Sequence, residues 1–151
     1  MKKLSYLILL LSLPFYSKAQ KLEIHASYVG PSAIQLKVFH EVSPTFKLGL
    51  GVEDYYGNNY QLLLLYAELN RDFQISKHFD LIGGILLGAA IGENSRNDSK
   101  IGSYSSGLFG FDIELLYNIN KVIGVKAGLG AKYMYDDLFF PPNVGVVVHI
   151  F

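Results

Sequence analysis

Ile123-Gly124-Val125-Lys126-Ala127-Gly128-Leu129-Gly130-Ala131-Lys132-Tyr133 alternates without a break. Its odd positions carry Ile, Val, Ala, Leu, Ala and Tyr, while its even positions carry only glycine and lysine. A period of two marks a β-strand whose two faces meet different surroundings. A helix over the same residues would lose ~1 kcal/mol at each glycine relative to Ala.

Similar segments, punctuated by turn residues, fill most of the chain. Leu22 to Val29 is the first, ending at Gly30-Pro31-Ser32, and Ala33 to Glu41 the second, ending at Ser43-Pro44. Thr45 to Tyr55 follows, closed by Tyr56-Gly57-Asn58-Asn59, and Tyr60 to Phe73, with a short connection at Ile75-Ser76-Lys77. Phe79 to Gly92 is the fifth, before the polar run Glu93 to Lys100. Tyr104 to Tyr117 turns at Asn118-Ile119-Asn120 into Lys121 to Tyr135, and Asn143 to Phe151 closes the chain after Asp136-Asp137 and Pro141-Pro142. The expectation is an all-β fold of eight antiparallel strands in up-and-down order. An even count returns the chain end to the side where it began, and short turns alternating with longer loops is the pattern of bacterial outer-membrane barrels.

Composition narrows the class. Of 151 residues, 50% are hydrophobic and only 17% charged, with 15 glycines, 11 tyrosines and 10 phenylalanines. That excludes a disordered chain. A formal net charge of zero with no basic patch argues against nucleic acid as a partner. With no cysteine there is no disulfide framework, no thiolate zinc site and no lipoprotein anchor.

Lys2 and Lys3, the apolar run Leu4 to Phe15, and Ser17-Lys18-Ala19 read as a signal peptide over residues 1–19, cleaved before Gln20. The run is too short for a spanning helix, which needs ~20 residues. Its removal leaves 10 basic against 13 acidic residues in the barrel, residues 20–151. The most hydropathic later stretch, Leu81 to Gly92, is short and broken by Gly83, Gly84 and Gly88.

Sorting alternate residues gives one apolar and one polar face. Phe109, Phe111, Ile113, Leu115 and Tyr117 oppose Gly110, Asp112 and Glu114; Phe46, Leu48, Leu50 and Val52 oppose Lys47, Gly49, Gly51 and Glu53. Ile34, Leu36 and Val38 oppose Gln35 and Lys37; Leu22, Ile24, Ala26 and Tyr28 oppose Glu23, His25 and Ser27. Alternation alone does not say which face is inside, and a soluble lipocalin-like barrel shares it. Three features favour a membrane barrel: few charges, an aromatic last residue, and an apolar face ending in aromatics. Those aromatics are Phe46, Phe73, Phe79 and Tyr117 at one end and Tyr28 and Tyr133 at the other. The polar face then becomes the lumen, where Glu23, Glu53, Glu68, Asp80, Asp112 and Glu114 meet Lys37, Lys47, Lys126 and Lys132, because unpaired buried charge is costly.

Asn143-Val144-Gly145-Val146-Val147-Val148-His149-Ile150-Phe151 resembles the C-terminal strand of bacterial outer-membrane proteins. Phe151 matches the terminal aromatic and Val147 an alternate apolar position, whereas His149 and Asn143 depart from the pattern. The resemblance implies reading by the barrel-assembly machinery. Leu69 to Lys77, Gly83-Gly84, Gly88 and the start at Gln20 resemble the small Bacteroidota-type barrels of the OmpA/OmpX-like group, over the whole mature chain. It implies a non-enzymatic outer-membrane barrel whose partners are outer-membrane lipid and the assembly machinery. A monomer is expected, porin-like in its membrane strands.

Some small barrels modify lipids, and His25-Ala26-Ser27 with Glu23 is the local set such chemistry would need. A polar lumen explains the same residues. His40, His78 and His149 are scattered singly, without metal-ligand spacing, Asp136-Asp137 reads as a solvated turn, and Gly128 and Gly130 read as barrel glycines. No catalytic, cofactor-binding or metal residue is assigned, and no cofactor is expected.

Overall fold

The computed structural model describes residues 21–30, 32–57, 60–94 and 102–150. Residues 1–19 and Phe151 lie outside them, as does most of the polar run from Glu93 to Lys100. The elements are β1 (Leu22–Val29), β2 (Ala33–Ser43), β3 (Phe46–Gly57), β4 (Tyr60–Gln74), β5 (Phe79–Asn94), β6 (Gly102–Asn118), β7 (Ile123–Met134), β8 (Asp137–Phe139) and β9 (Pro142–Ile150).

Each of β1 to β7 pairs antiparallel with the next, β7 pairs with β9, and β9 returns to β1. The ring is an eight-stranded, closed, up-and-down barrel, with β8 attached to β7 alone. Closure leaves no free edge, the condition for putting strands into hydrocarbon. The eight expected strands are all present.

Two stretches differ from expectation. Lys121 and Val122 belong to the turn before β7, because the Asn120 side-chain oxygen accepts from Val122 N at 2.7 Å and from Ile123 N at 2.9 Å. Met134 to Pro142, expected as a loop, holds the hairpin strand β8. Tyr135 (φ 52°) and Asp136 (φ 64°) form its two-residue corner. Positive φ at both central positions matches the right-handed twist of the flanking strands, although neither residue is glycine. Tyr135 is thereby taken out of the alternation that would have continued from Tyr133.

Strand lengths are uneven. β1 has 8 residues and β9 has 9, whereas β4, β5 and β6 have 15, 16 and 17. A membrane crossing needs ~9–11 tilted residues. The β4–β6 wall therefore rises above the β1–β9 side, at the end opposite the termini.

Burial settles the two faces. Leu87 is 67% exposed, Leu129 62% and Ile85 58%, and the other outward Leu, Ile, Val and Phe form a belt with them around the barrel. Lys37, Glu53, Lys126 and Lys132 are almost wholly buried inside. The soluble alternative required the reverse. All six expected girdle aromatics are exposed on the outer surface.

Inside, large side chains lie over glycines of the neighbouring strand, as a narrow barrel requires. Gly51 is the clearest case: a Cβ added there would overlap the ring of Tyr66. Gly51→Val is therefore expected to prevent folding, seen as loss of the heat-dependent shift in gel mobility. Combining it with Tyr66→Leu should restore that shift.

Candidate functional site

Among the described residues, the polar lumen is where buried charged and hydrogen-bonding side chains concentrate. Three strands supply the four lysines, and period-2 geometry points each inward between outward apolar neighbours.

In the middle tier the Lys37 ammonium lies 2.7 Å from Asp112 Oδ2, 2.9 Å from Glu68 Oε2 and 3.6 Å from Glu114 Oε1. Lys126 Nζ donates to both oxygens of Glu114, at 2.8 and 2.9 Å. Above it, Lys132 Nζ donates to Glu53 Oε1 at 2.5 Å, a pair that crosses the lumen from β7 to β3. The same Glu53 accepts from Gln35 Nε2 at 2.7 Å, Tyr66 Oη at 2.7 Å and Tyr55 Oη at 2.9 Å. The Tyr66 ring sits between tiers, 5.9 Å from both Lys37 Nζ and Lys132 Nζ.

Toward the termini, Lys47 pairs with Glu23 Oε1 at 2.7 Å and with Asp72. His149 Nδ1 lies 2.9 Å from Glu23 Oε1, and Asn118 Nδ2 donates to Asp80 at 2.7 Å. These groups line a cavity of ≈ 860 Å³ open at the terminus end.

Apolar side chains pack against the network at two levels. Ile82, Leu116 and Val147 form a small buried cluster. Leu64, Leu86, Ala90, Leu108 and Met134, with Tyr66, form a larger one inside the wall opposite the termini. Tyr135 packs on it from the β7–β8 corner; its hydroxyl donates to Ala90 O at 2.8 Å, and Ser106 Oγ accepts from its backbone N–H at 3.0 Å. Burial pushes the Tyr135 phenol up.

The expected lumen residues are all brought together, with two corrections to their partners. Lys132, on the strand next to that of Asp112, reaches across to Glu53. Val147, matched to an outward apolar position, points into the lumen with Asn143 and His149, and the outer face of β9 is Val144, Val146, Val148 and Ile150. The two off-pattern residues are thus lumen residues. Asp72, His149 and the Leu64–Met134 plug were missed. Asp72 shares parity with Glu68 and Asn70, a signal that was present.

Glu23, His25 and Ser27 are all buried inward on β1. His25 Nε2 lies 3.2 Å from Glu23 Oε2, but Ser27 Oγ has no hydrogen-bond partner. A nucleophilic serine needs a base within hydrogen-bond reach, and Ser27 Oγ meets none among the described residues. His40 lies on the outer side of β2 and His78 in the β4–β5 turn, where its Nδ1 is 3.3 Å from Asn118 O.

Lys37→Met is expected to destabilise the barrel by ~3–5 kcal/mol, because Glu68 and Asp112 would remain buried without a cation. Denaturant unfolding in detergent micelles measures it. Adding Glu68→Gln and Asp112→Asn should recover most of the loss.

No family model and no curated protein matches this chain. Solved structures do. The N-terminal β-barrel domain of Pseudomonas aeruginosa OprF superposes with TM-score 0.67 at 14% identity, over 87% of this chain and 96% of that one. Neisserial surface protein A gives 0.68 at 11%, over 85% and 94%. Ail, the attachment invasion locus protein of Yersinia pestis, gives 0.63 at 11%, over 89% and 100%. The fold of this chain is the eight-stranded barrel of outer-membrane proteins.

Proposed function

We propose that this chain is a non-enzymatic integral outer-membrane protein, exported by residues 1–19, with both chain ends on the periplasmic side. Its role is structural or rests on binding through the end opposite the termini. The carrying observation is the closed belt of exposed Leu, Ile, Val and Phe around a lumen whose charges are paired. Such a surface is stable only against hydrocarbon.

The lumen does not favour transport. The Lys37 and Lys132 tiers fill its cross-section, and the Leu64–Met134 cluster lies between them and the far mouth. Binding is better placed on the far rim, where Leu138, Phe139 and Phe140 are exposed around β8 and Tyr56 donates to Asp54 at 2.5 Å. An attachment invasion locus protein among the fold neighbours supports this reading. Ser27, inside the barrel and away from lipid, gives the lipid-modifying alternative no reachable nucleophile.

Membrane fractionation, with gel mobility compared before and after heating, tests the proposal. Recovery in the outer-membrane fraction with a mobility shift is expected, and a soluble periplasmic protein would overturn it. In planar bilayers the purified barrel is expected to give no stable large conductance steps. Regular steps would overturn the closed lumen.

A further inference from the structure

Arg71 is the only Lys or Arg on the outward face of the barrel strands among the described residues. Parity places it there: on β4 the inward set is Leu64, Tyr66, Glu68 and Asn70, and the outward set is Leu65, Ala67, Leu69, Arg71 and Phe73. A guanidinium pointing away from a barrel into a membrane must find a counter-charge or reach the interface.

It stands at interface depth. Phe46 is its direct cross-strand partner on β3, and Phe73 follows on the same face of β4. Phe73, Phe79 and Tyr117 belong to the aromatic girdle at the terminus end. The guanidinium carbon is 5.4 Å from the Phe46 ring centroid and 4.8 Å from that of Phe73. These rings hold the planar group without using its N–H donors.

No carboxylate of the described residues comes within ion-pair distance of it. The adjacent Asp72 faces the lumen and pairs with Lys47. The donor fork of Arg71 is therefore unpaired among the described residues.

The third side of the site is empty. On β5 the residue opposite Arg71 is Gly83. A Cβ built on Gly83 would meet only Phe73 Cε2, at 3.9 Å, an ordinary contact. Its neighbour Gly84 is different, since a side chain there would overlap Asn70 and Glu68 in the lumen. Lumen packing thus accounts for Gly84, and none of the described residues requires glycine at 83. A glycine inside a strand weakens it and often marks the close approach of a ligand.

We propose that Arg71, framed by Phe46, Phe73 and the notch at Gly83, binds the phosphate of a glycerophospholipid in the periplasmic leaflet. The partner follows from chemistry and depth. An unpaired planar fork recognises a phosphate with two parallel hydrogen bonds, and at the girdle the phosphate available is that of a lipid headgroup. The acyl chains then continue down the apolar belt beside Leu69 and Ile85, both exposed. The inference rests on the membrane reading and orientation given above.

Native mass spectrometry of the detergent-solubilised barrel, titrated with phosphatidylglycerol, tests it. The comparison set is the unaltered protein, Arg71→Gln, Arg71→Lys and Gly83→Val, each first checked for the heat-dependent mobility shift. Retained phosphatidylglycerol is expected to fall about tenfold in Arg71→Gln, the order of one lost charge-assisted contact. It should fall less in Arg71→Lys, which keeps the charge but loses the fork. Gly83→Val keeps Arg71 and should improve the strand, yet it should also lose lipid by filling the notch. Equal retention by all four proteins would overturn the site. Equal retention of diacylglycerol, which lacks phosphate, would overturn the headgroup chemistry, and preference for lipid A would overturn the leaflet assignment. Failure of the membrane reading appears separately, as a protein with no mobility shift and no membrane fraction.

Discussion

Lys37 carries its ammonium in a space closed to water and ringed by Glu68, Asp112 and Glu114. Everything else in the barrel is arranged around the condition that creates this group. Strands in hydrocarbon must turn apolar side chains outward, so period-2 geometry sends most charged residues inward, where an unpaired charge costs several kcal/mol. The lumen of an eight-stranded barrel is narrow enough that lysines from β2 and β7 reach carboxylates across it. The pairs therefore tie strands that share no backbone hydrogen bonds. β2 is joined to β4 and β6 through Lys37, and β3 to β7 through Lys132.

The glycines follow from the same crowding. A lysine, tyrosine or phenylalanine pointing into so narrow a space must lie flat over a neighbouring strand. Tyr66 over Gly51 and Phe39 over Gly49 are the result. Phe39 also packs its ring 4.8 Å from that of His25, so an aromatic closes a part of the lumen that charge does not fill. Glycine on the inner face is thus a consequence of large inner residues. Glycine on the outer face needs another explanation, and that is why Gly83 stands apart from Gly84.

The fold was legible because alternation is local: one strand such as Ile123 to Tyr133 carries its own face assignment. The choice between an apolar inside and an apolar outside was also within reach, through low charge and the placement of Phe46, Phe73, Phe79 and Tyr117. What sequence could not supply was any feature depending on the curvature of the ring. Lys132 and Glu53 are 79 residues apart and meet only across the lumen. The inner plug was hidden for a related reason. Leu64 sits in the run Leu62-Leu63-Leu64-Leu65, which is apolar on both faces, so period-2 sorting has nothing to sort. Val147 in Val146-Val147-Val148 failed in the same way.

The two ends of the lumen differ, and that difference bears on where function can reside. At the terminus end the polar cavity is open, and its carboxylates are already engaged by Lys47, His149 and Asn118. At the far end the interior is apolar and Tyr135 is fastened over it by Ala90 and Ser106. The Tyr135-Asp136 corner adopts positive φ without glycine, a conformation that costs ~1–2 kcal/mol per residue. Contacts made by the Tyr135 side chain must offset that cost, so the corner and the plug stabilise each other. A solute entering from the terminus end meets ion pairs and then hydrocarbon, each a barrier to what the other would pass. The interior thus serves to hold the barrel together, and the proposed function accordingly puts recognition on the outer surface and far rim.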